Sequence, residues 1–246
     1  MKHWKRILSL FCACLMLAAM LPTGMLQASA LNYAKSEFWI SNLSDWNDIA
    51  SSSENFRGKT VHLMNDFDAE GAELTTLFES FAGTFDGQGY TIKNFTAKNA
   101  ILAEKTLSGA VIKNLKVQGS VLNDDEGVLA VGRLVAEHDD TAPGTLTITN
   151  VTVLQSAVVG ASQHVGGIVG ALTLRDGQSA TLSNIIIDGQ VVNKRQDLTH
   201  ACISAGGVVG IFEPIGHPEL NIKNVTMTSE VWSRTSTVGG ILGAVF

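Results

Sequence analysis

Beyond the first thirty positions, apolar residues come in short runs that alternate with polar ones, and the alternation reverses phase at a recurring asparagine. Segments 91–95, 111–115, 147–151, 181–185 and 221–225 each place an apolar residue two before and one after the asparagine. Another stands three after it: the small Ala97 in the first copy, then Val117, Val153, Ile187 and Met227. Alternation with period two is strand patterning, and a strand whose inward set changes parity must bend or bulge where it changes. Asparagine suits the bend because it tolerates left-handed backbone angles and its amide bonds nearby groups. Asn94, Asn114, Asn150, Asn184 and Asn224 are therefore expected to form a structural ladder, stacked at equivalent corners with their amides bonded to one another.

A second element follows the later copies: Val165–Gly170, Ala205–Gly210 and Val238–Gly243, each with two glycines, two apolar residues and a glycine. Its repeat glycines are Gly167 and Gly170, Gly207 and Gly210, and Gly240 and Gly243; residues 127–132 read as an imperfect copy. The asparagines from Asn114 onward are 36, 34 and 40 residues apart, while Asn94 precedes Asn114 by only 20. A unit of about three dozen residues with short strands cannot bury both faces alone, so successive units must stack. The expected fold is all-β, a parallel β-helix (solenoid) over residues 60–246, preceded by a cap segment, residues 31–59. In that segment Leu43, Trp46, Ile49 and Ala50 share one helical face, so a short capping helix is expected there, with Ser44 as its N-cap.

Residues 1–30 have the three parts of an export signal: Lys2, Lys5 and Arg6, an apolar run from Ile7 to Met20, and Ala28-Ser29-Ala30 as a small-residue cleavage site. The run is broken by Pro22 and Gly24 and falls short of the roughly 18 to 20 residues that span a bilayer. Without it the chain keeps fourteen basic and twenty-three acidic side chains, a charge of −9. Such a surface does not seek nucleic acid or anionic membrane. One cysteine, Cys202, remains, so no disulfide framework is expected.

The run Phe81-Ala82-Gly83-Thr84-Phe85-Asp86-Gly87-Gln88-Gly89-Tyr90-Thr91-Ile92 resembles the entry to right-handed parallel β-helix regions of bacterial surface proteins, and the Gly-Gly-Ile-Val-Gly elements resemble the GLUG motif of secreted adhesin-like and peptidase-associated proteins. The chain departs from that pattern with Ile168, Val208 and Ile241 where leucine is usual, and with Ile101-Leu102-Ala103-Glu104 where a first glycine-rich element would stand. The resemblance implies a secreted or cell-surface scaffold and brings no catalytic residue with it.

Searching for chemistry turns up little. Gly83–Gly89 lacks the Gly-Lys-Ser/Thr of a phosphate loop. His200 beside Cys202 reads as a packed thiol rather than a nucleophile and its base, and His62, His138, His164 and His217 lack metal-ligand spacing. Two acidic clusters, Asp124-Asp125-Glu126 and Asp139-Asp140 with Glu137, are candidates for calcium or for acid–base work on polysaccharide, set against solvated turn charges. No cofactor and no enzymatic activity are expected. The expected role is adhesin-like binding to glycans or to host and cell-surface proteins. The alternatives are a carbohydrate-active enzyme, a polysaccharide lyase or hydrolase, and an accessory stalk of a larger secreted peptidase. The apolar end at Ala244-Val245-Phe246, without a polar cap, leads to the expectation of a truncated solenoid whose open edge self-associates.

Overall fold

The structure, a computed structural model, describes residues 31–196, 203–234 and 237–246; the expected export signal at residues 1–30, His200 and Cys202 lie outside them. The chain is all-β, and every strand pairing among the described residues is parallel. A long sheet holds β1 (Glu37–Ile40), β2 (Thr60–Leu63), β3 (Phe67–Asp68), β5 (Thr84–Asp86), β6 (Thr91–Ala97), β8 (Val111–Asn123), β11 (Gly144–Gly160), β14 (Gln178–Asn193), β17 (Glu219–Met227) and β18 (Glu230–Ser233). A second holds β4 (Phe78–Phe81), β7 (Ala103–Thr106), β10 (Val135–His138), β13 (Val169–Arg175), β16 (Val209–Ile215) and β20 (Leu242–Val245). A third holds β9 (Ala130–Gly132), β12 (His164–Gly166), β15 (Ser204–Gly206) and β19 (Thr237–Gly239).

From β8 onward the chain visits the long, third and second sheets in turn, and each return lays the next strand beside its predecessor. One repeat therefore advances the long sheet by one strand. In-register pairing stacks like on like: Ile112, Ile148 and Leu182; Leu115, Val151 and Ile185; Val117, Val153 and Ile187; Val121, Val158 and Val191. All twelve side chains are fully buried. Each side chain withdrawn from water contributes about 1.5–3 kcal/mol, so these columns are a large share of the stabilising burial. The equivalent Ile222, Val225 and Met227 of β17, last in that row, are only half-buried.

The sheet begins earlier than the pattern indicated, because β1 lies inside residues 31–59 and pairs in parallel with β2. Helix α1 (Leu43–Ala50) follows it, and its N-cap is Asn42, not Ser44: the Asn42 side chain accepts the Asp45 N–H at 3.1 Å. Trp46 and Ile49 are its buried face; Trp46 stacks on Phe67 at 5.7 Å and donates its indole N–H to the Thr75 carbonyl at 2.9 Å. Behind them, Phe38, Phe56, Phe78 and Phe81 pack ring against ring, with successive centroids 4.2–5.2 Å apart.

The glycine elements are the bends between the third and second sheets, and three different contacts demand them. The first glycine of each bend stands under its own turn: a Cβ on Gly132, Gly166, Gly206 or Gly239 would lie 1.5–2.0 Å from the carbonyl oxygen three residues on. The last glycine touches the preceding round. A Cβ on Gly170 would lie 2.7 Å from the Ala136 carbonyl oxygen, and those on Gly210 and Gly243 would lie 2.5 and 2.3 Å from the carbonyls of Gly170 and Gly210. The middle glycines Gly167 and Gly207 face the next round's carbonyl at about 2 Å, while Gly240 has nothing within 4 Å. Register also corrects the imperfect copy. Val131 pairs with Val165 and Val135 with Val169, so Gly132 matches Gly166, and the element is Gly132-Arg133-Leu134-Val135-Ala136.

Candidate binding groove along the asparagine ladder

Asn114, Asn150, Asn184 and Asn224 sit at φ 52–55°, in the left-handed region, while the strands on either side continue to pair. That single backbone excursion is what reverses the inward parity. Each side-chain amide donates to the asparagine before it: Asn150 to Asn114 at 3.0 Å, Asn184 to Asn150 at 2.9 Å and Asn224 to Asn184 at 3.0 Å. Asn114 donates to a carboxylate instead, Asp86 Oδ1 at 3.0 Å. The row is thus a one-directional chain of amides ending on an anion.

Asn94 stands apart from this row. It has the same backbone angle, φ 56°, but β6 pairs with β8 through Ile92–Val117 and Lys93–Gln118, which carries Asn94 past Asn114. Its amide donates to both oxygens of Asp68, at 2.9 and 3.0 Å. The offset follows from the short step of 20 residues between these two asparagines. The row of four and the separate Asn94 each end on an aspartate.

The two aspartates share a local structure. Asp68 accepts the N–H of Glu70 and Asp86 that of Gln88, both at 2.9 Å, and Glu70 and Gln88 have φ 54° and 51°. The sequence carries the shared signal as Asp-x-Glu/Gln-Gly, at 68–71 and again at 86–89. Burial pushes the Asp86 carboxyl up, yet the Gln88 N–H, the Asn114 amide and Lys113 Nζ at 3.2 Å together outweigh it and hold Asp86 below its ordinary value. The charge is therefore satisfied where it stands.

Along the outside of the ladder runs an open groove of about 620 Å³, floored by Asp86, Asn114, Asn150 and Asn184. Gln88, Lys116 and Thr152 also line it. On the strand side of the floor an outward column keeps register across the sheet: Trp39, His62, Asp86, Lys113, Thr149 and Ser183 are successive partners. The Thr149 and Ser183 hydroxyls bond at 2.9 Å. Trp39, at 49% exposure, lies with its ring nearly parallel to that of His62, 20° apart at 6.5 Å. Neither these three residues nor this column was singled out from the sequence.

The acidic candidates are occupied elsewhere. Asp124 pairs with Lys194, Asp125 accepts the Gly127 N–H at 2.8 Å, and Glu126 is exposed. Asp139 pairs with Arg175. Asp140 is pushed up by burial but held below its ordinary value by the N–H groups of Ser108, Ala142 and Thr141. Among the described residues, no group of three or more histidines, cysteines and carboxylates is placed to hold a metal. His138 and His164 are buried and bonded through Nδ1 to the hydroxyls of Thr106 and Ser204, at 3.0 and 2.9 Å. They serve the core.

No family model matches the chain, and no solved structure matches it. Among curated proteins, the chain is similar to Halomucin of Haloquadratum walsbyi (strain DSM 16790 / HBSQ001), with 37% identity over 103 residues. That likeness covers 39% of this chain and 1% of Halomucin. Among the described residues no helix is long and apolar enough to cross a membrane.

Proposed function

We propose that this chain is a secreted or cell-surface scaffold, a right-handed parallel β-helix of GLUG-type repeats, that acts in an adhesin-like way by binding glycans. The observation that carries the reading is the groove: a row of uncharged amides, repeated once per strand, beside an outward column that runs from the exposed Trp39 to the paired hydroxyls of Thr149 and Ser183. A concave surface lined by a few convergent polar groups is the usual form of a small-ligand site. The export signal at residues 1–30 and the partial likeness to Halomucin support an extracytoplasmic setting. The test is a glycan array and a panel of surface proteins probed with the secreted chain. Saturable binding to a glycan class is the expected result, and binding to surface proteins alone would refute it.

A second reading, a carbohydrate-active enzyme, is favoured by Glu137. Burial, and then Asp139, Glu104 and Glu213, push its carboxyl above the ordinary glutamate value against the opposing pull of Lys105. It lines a cavity of about 300 Å³ together with Glu79, Glu104 and Lys105. A carboxyl whose affinity for its proton is raised by burial and by neighbouring carboxylates is the arrangement of a general acid in glycoside cleavage. Release of shorter or unsaturated products from polysaccharide, abolished by Glu137→Gln, would establish it.

A further inference from the structure

We infer that the groove takes an extended, uncharged polysaccharide lying across the strands and along the ladder, with one sugar ring seated on Trp39; this deepens the glycan reading above and rests on it. The direction follows from the ladder. Equivalent groups recur along it at the strand spacing, about 4.8 Å, and from Trp39 to Asn184 there are five such steps, roughly 24 Å. A ligand crossing the strands meets the same amide at Asn114, Asn150 and Asn184 and the indole of Trp39 at the near end, so an extended polymer engages several rungs and the ring together while a compact ligand uses a single rung. An extended peptide reads a sheet by pairing alongside an edge strand, parallel to it, and the ladder lies inside the sheet, at right angles to that direction.

The groups left over select the class of ligand. An asparagine amide has two N–H donors and an acceptor oxygen with two lone pairs. Within the row each amide gives one N–H to its neighbour and its oxygen takes one in return, which leaves an N–H and a lone pair per rung. Hydroxyl groups both donate and accept, and a polyhydroxylated chain matches that alternation. Charge points the same way. The one carboxylate lining the groove, Asp86, is already met by Lys113, Asn114 and Gln88, and Lys116, also lining it, forms no ion pair among the described residues. A polyanion or a polycation finds no matching row of charges here.

Trp39 supplies what the amides lack. Phe38 and Ile40 on either side of it are buried in the core, so the fold uses this strand's inward face and leaves the indole outside. Backed by the His62 ring, it presents a fixed flat apolar surface in line with the floor, suited to the C–H face of a sugar ring.

The experiment is calorimetric titration of the secreted chain with neutral gluco-, manno- and xylo-oligosaccharides from disaccharide to hexasaccharide, with polygalacturonate and chitosan as charged comparisons. The expected result is affinity for a neutral series that rises with length. Trp39→Ala should weaken the longest ligand about tenfold and the disaccharide little, and Trp39→Phe should restore most of the loss. Thr152→Lys, a change in the lining of the groove, should weaken all lengths while leaving the circular dichroism and the denaturation midpoint unchanged. Neutral oligosaccharides bound equally by both variants would overturn the groove and leave the glycan reading standing. Preference for either charged polymer would overturn the uncharged class. Binding of proteins with no carbohydrate bound would overturn this inference and the reading beneath it together.

Discussion

The Oδ1 atom of Asp86 accepts the side-chain amide of Asn114 at 3.0 Å, and through that bond the chain of amides that starts at Asn224 ends on a carboxylate. The same carboxylate holds the Gln88 N–H and Lys113. Hydrogen bonds in series polarise one another, and an anion at the accepting end strengthens the sequence. Asp86→Ala should therefore cost on the order of 1–3 kcal/mol by stranding those donors, whereas Asp86→Asn, which keeps an acceptor, should cost less. Urea midpoints at constant m-value check the order, and equal midpoints for the two variants would contradict it.

Acid should weaken the fold in two stages. Burial lowers His138 to about 4, against the opposing pull of Asp140 and Asp139, and burial with Arg195 lowers His164 to about 4. The unfolded chain then binds more protons than the folded one between about pH 6.5 and 4, so stability is whole above that window and is lost as pH falls through it. The loss is on the order of 3 kcal/mol for each histidine. Asp86 and Asp140, both held below their ordinary value, add a further loss below about pH 4. Denaturant titrations at a series of pH values should show both stages, and replacing His138 and His164 by glutamine should flatten the first.

The glycine bends give a pair of opposed outcomes. Gly166→Ala places a methyl 1.7 Å from the Val169 carbonyl oxygen and should cost more than about 3 kcal/mol or prevent folding. Gly240→Ala meets nothing within 4 Å and should change stability by less than about 1 kcal/mol. Thermal unfolding of the two variants decides, and similar losses in both would show that steric contact is not the reason for these glycines.

Arg133 occupies the middle-glycine position of the first bend. Its guanidinium is fully buried, donates through Nη1 to the Gly167 carbonyl at 2.8 Å, and has no partner for Nε or Nη2 among the described residues; burial lowers it to about 9. Arg133→Met should raise stability by roughly 1 kcal/mol or more, since it removes a charge without a counter-ion and keeps the volume. Arg133→Gly completes the repeat on paper but empties that volume, and should destabilise by about 2–5 kcal/mol. A loss on Arg133→Met would mean that the charge itself has a role.

Periodicity made the repeat, the parallel strands and the parity reversal at asparagine legible, because a two-residue alternation reports which face is buried wherever one face is. It misled where one residue type performs two tasks. Asn94 has the backbone angle of the others but a different partner, and only the pairing of β6 with β8 shows it. The glycine pattern at residues 127–132 lies four positions out of register with the bends it resembles, because the contact that requires the glycine, with a carbonyl three residues on, exists only in the folded bend. Asp86 and Trp39 escaped notice for a related reason: their place in the groove comes from strands that neighbour each other in space and are distant in the chain.

The one-way amide row also has an evolutionary consequence. Because every link donates toward Asp86, the terminating group is needed once, at the first link, and each later repeat joins by supplying an asparagine in the left-handed conformation. Gene duplication at the far side can lengthen the protein without inventing a new end for the row, and every copy added would extend the groove by one more identical step.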